Sequence, residues 1–127
     1  MIVGIGVDAI DIARIERMLG QRGERLLQRL FTSGELSLVR TKAAPAQHVA
    51  VRLAAKEAAY KALAGNDLAR GIGWREIEVV TRTADGAPKL RLHGHAAERF
   101  AELSATTIHV SLTHSEATAV AVVVIER

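Results

Sequence analysis

The sequence contains no cysteine and few aromatic residues among its 127 positions. Without cysteine the chain forms no disulfide and has no thiol nucleophile, which is compatible with a reducing compartment. Aromatic residues make up 3% of the chain, so few side chains are available for stacking on nucleic-acid bases. No apolar run approaches the roughly 18 residues of a membrane span, and the start lacks a signal-peptide pattern. We therefore expect a cytoplasmic protein with neither a membrane nor a nucleic acid as its partner.

The net charge of +3 is unevenly distributed along the chain. Residues 14–61 hold ten Lys or Arg against four Asp or Glu, whereas the remaining residues hold seven against ten. This excess of positive charge predicts an acidic ligand or partner for the N-terminal half. A rival interpretation is a non-catalytic basic module that binds DNA through phosphate contacts alone. No helix-turn-helix or RNA-binding signature supports that rival.

The segment 52–63, RLAAKEAAYKAL, is the most informative part of the sequence and predicts an alanine-rich helix. It sets one carboxylate, Glu57, among three cations. Helical spacing places Glu57 and Lys61 on one face, with Arg52 and Lys56 on the adjacent row. Such a mixture of charges is what a polyphosphate bound through a divalent cation requires, because carboxylates bind the cation and positive side chains bind the phosphate oxygens. The pattern is equally typical of Glu–Lys pairs on a solvated helix.

The N-terminal run IVGIGVD, residues 2–8, predicts a buried strand that ends near Asp8. Gly4 and Gly6 leave one face without side chains, which allows a neighbouring backbone or a ligand to approach closely. Asp8 therefore stands at a common place for a metal ligand, although a turn residue would fit the same position. Asp11 is the expected N-cap of the helix that follows. No third glycine completes a dinucleotide fingerprint, and no P-loop follows.

The order of predicted elements is a strand, then helices, then mostly strands, which indicates an α+β fold in a single domain, 1–127. Gly20 and Gly23 predict that the first helix stops and that a second short helix follows around residues 26–30. Thr32 and Glu35 have the form of a capping box, so we expect Glu35 to be structural. The other expected elements are a helix after Pro45 closed by Gly65–Asn66, strands at 77–81, 90–92 and 108–113, a helix at 96–103, and a central strand at 117–125 buried on both faces.

Several motifs follow one another along nearly the whole chain. They are GIGVD at 4–8, RI at 14–15, FTxxE at 31–35, RxAAKEAxxKA at 52–62, GIG at 71–73, GxP at 86–88, HVSLTH at 109–114 and VVVIE at 122–126. In this order they resemble the holo-acyl-carrier-protein synthase family of 4′-phosphopantetheinyl transferases. An extra residue or so between positions 20 and 31 is the one local departure. The resemblance implies the fold of that family, with helices packed on a mainly antiparallel sheet.

The resemblance implies an enzyme that moves 4′-phosphopantetheine from coenzyme A to a serine of apo acyl-carrier protein, in support of fatty acid biosynthesis. It also implies that Asp8 and Glu57 bind Mg²⁺ and that Lys61 neutralises charge on the leaving phosphate. The residue that takes the serine proton stays open between Glu57 and a metal-bound water.

Further residues are candidates for coenzyme A binding under the same resemblance. Arg52 and Lys56 would contact phosphates or form surface pairs. Gly86 and Pro88 would shape an adenine-binding loop, and they also fit an ordinary hairpin turn. His109 and Ser111 share a strand face that would meet the adenosine end of coenzyme A or be solvated.

Five residues of the first helix are candidates for binding the acidic carrier protein, since an arginine row steers an acidic partner and a methionine adapts to it. They are Arg14, Met18, Arg22, Arg25 and Arg29. A solvated arginine-rich helix is the alternative. The family's members form trimers with active sites between subunits, so the resemblance also implies a homotrimer.

Overall fold

The computed structural model describes residues 1–82 and 84–127, which contain five α-helices and five β-strands. No helix in this part of the chain has both the length and the apolarity to cross a membrane. The α+β prediction is confirmed. The elements are β1 (Ile2–Asp11), α1 (Ile12–Leu30), α2 (Ser33–Val39), α3 (Pro45–Leu63), α4 (Asp67–Arg70), a 3₁₀ turn (Trp74–Glu76), β2 (Ile77–Thr81), β3 (Pro88–Leu92), α5 (Gly94–Glu102), β4 (Thr107–His114) and β5 (Thr118–Glu126).

The strands form a three-stranded antiparallel sheet, ordered β1-β5-β4, and a separate β2-β3 hairpin. The prediction that the last strand is central is confirmed, but the prediction that both of its faces are buried is wrong. Side chains alternate across a strand, and Ala121 and Val123 on the inner face are fully buried whereas Val122 on the outer face is 38% exposed. The reason is that α3 covers only the inner face of the sheet.

Helix α3 lies directly against β1 because two glycines remove the side chains between them. A Cβ atom on Gly4 would lie 2.2 Å from the carbonyl oxygen of Ala62, and one on Gly6 would lie 1.8 Å from that of Ala58. The predicted close approach is therefore confirmed, with α3 as the neighbour. Asp8 follows on the same face of the strand, so this contact brings its carboxylate to the side of α3.

Helix α1 consists of two helical segments that meet at a bend, so the predicted division into two helices is confirmed. The backbone leaves helical geometry at Arg22, where φ is −136° and ψ is 18°. This position lies between Gly20 and Gly23, which weaken a helix as expected. Beyond the bend Leu30 is buried and Leu26 packs against the core, so the apolar face continues to hold the second half of the helix in place.

The ends of the next helices follow the predicted capping chemistry with one change. Thr32 and Glu35 form the predicted capping box of α2. Pro45 is the first residue of α3, where its missing N–H costs nothing. Gly65 follows α3 with φ at +131°, a value that favours glycine. Asn66 does not close α3, because its side chain accepts a hydrogen bond from the first turn of α4.

Candidate active site

Asp8, Glu57 and Lys61 come together where α3 crosses β1. The Lys61 ammonium donates hydrogen bonds to Asp8 Oδ1 and to the carbonyl oxygen of Val7, each at 3.0 Å. The Asp8 side chain is 11% exposed, whereas that of Lys61 is 54% exposed. Glu57 lies one turn before Lys61 and carries its carboxyl to within hydrogen-bonding range of Asp8. The structure thus brings together the three residues that the sequence singles out.

The two carboxyl groups of this cluster are incompletely neutralised. Burial raises the pKa of Glu57 to about 7, and the hydrogen bond and negative charge of Asp8 add to this effect. The positive charges of Lys61 and Arg14 act in the opposite direction. Asp8 Oδ2 is buried and has no hydrogen-bond partner among the described residues. A buried oxygen without a donor, beside a second carboxyl group, favours a proton or a cation at this place.

The donor set of the cluster fits a hard divalent cation. Residues 1–82 and 84–127 contain no group of three or more His, Cys, Asp or Glu side chains that could hold a metal ion. Two adjacent carboxylates are what Mg²⁺ commonly uses, because it takes its remaining ligands from substrate phosphates and water. Asp8 and Glu57 supply such a pair, and the unpartnered Oδ2 supplies an available oxygen.

A cleft of about 370 Å³ opens beside Glu57 and Lys61. Tyr60, Arg70 and Trp74 line this cleft but are not among the site residues predicted from the sequence. Tyr60 and Trp74 are 38% and 39% exposed, which is informative in a chain with so few aromatic residues. The position of Trp74 directly after the GIG motif is the sequence signal that could have identified it. The lining residues are Lys56, Glu57, Tyr60, Lys61, Arg70, Ile72, Gly73, Trp74 and Ile77.

Lys56 is not available to a phosphate in the way predicted, because its ammonium group is fully buried. Its Nζ donates to Glu35 Oε1 at 2.8 Å, to the carbonyl oxygen of Trp74 at 3.0 Å and to that of Ile77 at 2.5 Å. These three bonds use every hydrogen of the ammonium group. The predicted direct contact of Lys56 with a phosphate therefore disagrees with the structure. Glu35 is structural, as expected from the capping box.

Arg52 is also mostly buried, one turn before Lys56 on α3. One of its terminal nitrogens donates to the carbonyl oxygen of His48 at 3.1 Å, and its Nε is buried without a partner among the described residues. Burial lowers the pKa of the guanidinium, and the charge of Glu35 opposes this shift. The role of Arg52 in binding coenzyme A stays a prediction.

His109 and Ser111 lie on the outer face of the sheet, away from the cluster. Ser111 pairs with Val122 on that face, whereas Asp8 pairs with Ala121 on the face covered by α3. Within one chain the sheet therefore separates these two sets of side chains. The structure confirms that His109 and Ser111 share a face and are exposed, but it does not bring them to Asp8.

Gly86 and Pro88 lie in the connection between β2 and β3. Gly86 has φ at +72° and donates its N–H to the carbonyl oxygen of Arg82, and β3 begins at Pro88. The hairpin-turn interpretation is thus confirmed. Their part in binding adenine stays a prediction.

The basic residues of α1 form an exposed surface that begins near the cluster. Arg14 is close enough to Glu57 for its charge to lower the pKa of that carboxyl group. Arg22, Arg25 and Arg29 line a groove together with Gln21 and Leu26. Met18 is only partly available as a contact residue, because it packs against the core.

The fold and the carboxylate–lysine cluster define a known class of protein. The family model of the 4′-phosphopantetheinyl transferase superfamily matches residues 4–123, and the chain belongs to this family. Among curated proteins, the chain is 47% identical over 127 residues to a holo-acyl-carrier-protein synthase of Geobacter metallireducens, covering 100% of this chain and 99% of the relative. It is 52% identical over 130 residues to the one of a Methylobacterium species, covering 99% and 95%.

Solved structures of holo-acyl-carrier-protein synthases have the same fold. The enzyme from Neisseria meningitidis is 29% identical and superposes with a TM-score of 0.87, covering 100% of both chains. The Bacillus anthracis enzyme, solved in complex with CoA (3′,5′-ADP), is 34% identical with a TM-score of 0.79, covering 99% of this chain and 97% of that one. The fold prediction is therefore confirmed along the whole length of the chain.

Proposed function

We propose that this protein transfers 4′-phosphopantetheine from coenzyme A to a serine of apo acyl-carrier protein, in support of fatty acid biosynthesis. The products are holo acyl-carrier protein and adenosine 3′,5′-bisphosphate. The observation that carries the proposal is the convergence of Asp8, Glu57 and Lys61 at the mouth of one cleft. The relatives at 43–52% identity are holo-acyl-carrier-protein synthases, and one solved relative holds CoA (3′,5′-ADP).

Asp8 and Glu57 are the residues that would hold Mg²⁺ in this proposal. Their carboxylates are adjacent, and Asp8 Oδ2 has no partner among the described residues. When bound, such a cation polarises phosphate oxygens and orients the pyrophosphate. Dependence of activity on Mg²⁺ is thus a consequence of the proposal.

The chain's own groups supply the rest of the chemistry. The serine Oγ of the carrier attacks the phosphorus that bears the pantetheine arm, and the bond from that phosphorus to the bridging oxygen of the pyrophosphate breaks. Lys61 is positioned beside the cluster to neutralise negative charge that develops on the departing phosphate. The serine proton goes to Glu57 or to a water held between Glu57 and Asp8.

A homotrimer with active sites between subunits explains where the adenosine end of coenzyme A binds. Asp8 and His109 lie on opposite faces of the same sheet, so one ligand reaches both most simply if they come from different subunits. The outer face also exposes apolar side chains that association would cover. These are Ile5, Val7 and Val122.

The exposed arginines of α1 are the proposed docking surface for the acidic carrier protein. Their groove runs from Arg22 to Arg29, and Arg14 lies beside the cluster, so a carrier bound there can present its serine to Glu57. The charge of this surface favours rapid association with an acidic partner. We expect Arg14→Glu and Arg25→Glu to raise KM for the carrier by about tenfold each, while KM for coenzyme A changes about twofold or less. Equal changes in both constants would contradict the docking surface.

Mass spectrometry of an apo-carrier incubated with this protein, coenzyme A and Mg²⁺ tests the function directly. The expected result is a mass increase equal to one phosphopantetheine group on the carrier. Omission of coenzyme A, or addition of a chelator, should abolish the increase. An unmodified carrier under complete conditions would overturn the proposed function.

A further inference from the structure

The Glu35–Lys56 ion pair is buried, and a contribution to stability does not by itself explain why. Both side chains are 0% exposed. Removing two charges from water is costly, and apolar residues of similar volume often replace a buried pair without loss of stability. The pair adjoins the cluster in the sequence, since Lys56 directly precedes Glu57. Its position therefore points to a role other than stabilising the core.

The hydrogen bonds of Lys56 lead to the wall of the cleft. Besides Glu35, its ammonium group binds the carbonyl oxygens of Trp74 and Ile77. Trp74 begins the 3₁₀ turn and Ile77 follows it, and both line the same cleft as Glu57. One buried ammonium group thus joins α3 to both ends of the turn that forms this wall.

Glu35 completes the connection from the other side. Its Oε1 accepts from the backbone N–H of Thr32 at 2.9 Å as well as from Lys56, and its Oε2 accepts from the backbone N–H of Val79 at 2.9 Å. The pair therefore links the first turn of α2, the middle of α3 and the first half of β2. Both carboxylate oxygens have hydrogen-bond partners, whereas Oδ2 of Asp8 has none among the described residues.

We propose that Lys56 and Glu35 are positioning residues of the active site. They hold segment 74–79 against α3, and they thereby set the distance between the Trp74 wall of the cleft and the reacting groups on Glu57 and Lys61. They do so without touching the substrate. The kinetic consequence of this inference rests on the proposed transferase function, whereas its structural consequence does not.

Two variants separate positioning from folding. Lys56→Met alone leaves Glu35 as an unpaired buried charge, which destabilises the fold whether or not Lys56 positions the cleft wall. Glu35→Gln combined with Lys56→Met leaves no buried charge, keeps an amide for part of the Glu35 contacts and removes the ammonium bonds to Trp74 and Ile77. Glu35→Gln alone retains those ammonium bonds. The single and double variants thus differ only in the side chain at position 56.

Trp74 is the only tryptophan of the chain, so its fluorescence reports the position of the wall directly. We expect the double variant to show a shifted emission maximum and stronger acrylamide quenching. Glu35→Gln is less stable, because it leaves the Lys56 ammonium group buried without its carboxylate, but it keeps the Trp74 emission and quenching of the unaltered protein. We also expect KM for coenzyme A to rise about tenfold in the double variant with kcat reduced about twofold or less, the pattern of lost substrate binding. Val49→Ala, a buried change on α3 beside Leu27 and Val39 in a different groove, serves as the control for general destabilisation.

An unchanged Trp74 emission and quenching in the folded double variant would overturn the inference. So would equal spectral changes in Val49→Ala, because the signal would then follow stability and not the ammonium bonds. If the unaltered protein transfers nothing to the carrier, the proposed function fails, and the fluorescence comparison still decides whether Lys56 positions the wall.

Discussion

Two carboxylate–lysine clusters on the same helix differ in almost every physical respect. The Glu35–Lys56 pair is fully buried, and its oxygens and hydrogens all have partners. The neighbouring cluster around Glu57 is open to a cleft, and its Asp8 Oδ2 has no partner among the described residues. Both combine acids with a lysine of α3, yet only one of them has its charges balanced inside the protein.

The difference supports the proposal that the unsatisfied cluster is the reactive one. A buried pair with complete hydrogen bonding has no capacity left for a ligand, whereas two adjacent carboxyl groups with a displaced pKa do. Sequence spacing alone does not separate these cases, since Lys56 and Lys61 are both near Glu57. Burial and partners separate them. Five substitutions test this contrast.

Asp8→Asn is expected to have the largest effect, on activity. The change keeps the shape of the side chain but removes one of the two carboxylates that would hold Mg²⁺, and such a site contributes several kcal/mol, so transfer should fall about 10³-fold. The rate of holo-carrier formation, followed by mass spectrometry, measures this loss. The circular dichroism spectrum should not change.

Asp11→Asn is the matched control, because Asp11 is an exposed acid on the same strand whose side chain makes no capping hydrogen bond. It should retain activity within about twofold, as surface changes have small effects. Full activity in Asp8→Asn would remove the proposed metal site and with it the contrast between the clusters.

Lys56→Met and Lys61→Met compare the loss of a buried ammonium group with the loss of an exposed one. Loss of Lys56 leaves a buried charge on Glu35 and should lower the free energy of unfolding by about 3–5 kcal/mol. Loss of Lys61, whose side chain is 54% exposed, should change that free energy by less than about 1 kcal/mol. Urea denaturation at neutral pH measures both.

The transfer activities of the two lysine variants should not follow their stabilities. Lys61→Met should lose most of its transfer rate while remaining folded, because Lys61 is the residue proposed to neutralise charge on the departing phosphate. Equal destabilisation by the two lysine variants would mean that burial does not distinguish the clusters.

Gly6→Ala tests how the backbone assembles the reactive cluster. The added Cβ would lie 1.8 Å from the carbonyl oxygen of Ala58, so β1 and α3 must separate. Overpacking of this kind costs about 1–3 kcal/mol, and the displacement should also move Asp8 away from Glu57 and lower activity. Thermal unfolding and the transfer assay measure the two effects.

Gly20→Ala is the control for the glycine change. A Cβ at Gly20 meets no atom within 4 Å in the described residues, and alanine favours a helix by about 1 kcal/mol over glycine. This variant should therefore be as stable as the unaltered protein or more so. A tolerated Gly6→Ala would show that the close approach of α3 is not what positions Asp8.

Much of this arrangement is predictable from local sequence. The glycines of the first strand and the alanines of the helix indicate a close strand–helix contact, and the spacing of Glu57 and Lys61 puts them on one face. The family resemblance adds Asp8 to the pair. The capping box at Thr32 and Glu35 needs only its own four residues, so it too is predictable.

Other features depend on contacts between distant parts of the chain. That Lys56 is buried follows from Trp74, Ile77 and Glu35 closing around it, and no local pattern contains this information. The break of α1 near Arg22 is predictable from Gly20 and Gly23, but the packing of its second half depends on the core. The cleft wall formed by Trp74 also results from tertiary packing.

Glu57→Gln should change stability in a way that depends on pH, and the sign of the change is informative. Burial and Asp8 raise the pKa of Glu57 to about 7 from its ordinary value of 4.5. The folded protein therefore binds more protons than the unfolded chain between these values, and stability from this group is lost as pH rises through about 7. Replacing Glu57 by the neutral Gln removes this loss, so the variant should unfold at a higher temperature at pH 8 than the unaltered protein.

The same comparison at pH 4, where Glu57 is protonated in the folded state, should show little difference in the unfolding temperature. Differential scanning calorimetry in the absence of divalent cations measures both values. A variant that is less stable at pH 8 would mean that the Glu57 carboxylate is already well compensated, as Glu35 is. If the variant is instead more stable but inactive, then the negative charge of Glu57 lowers the stability of the fold and is required by the reaction.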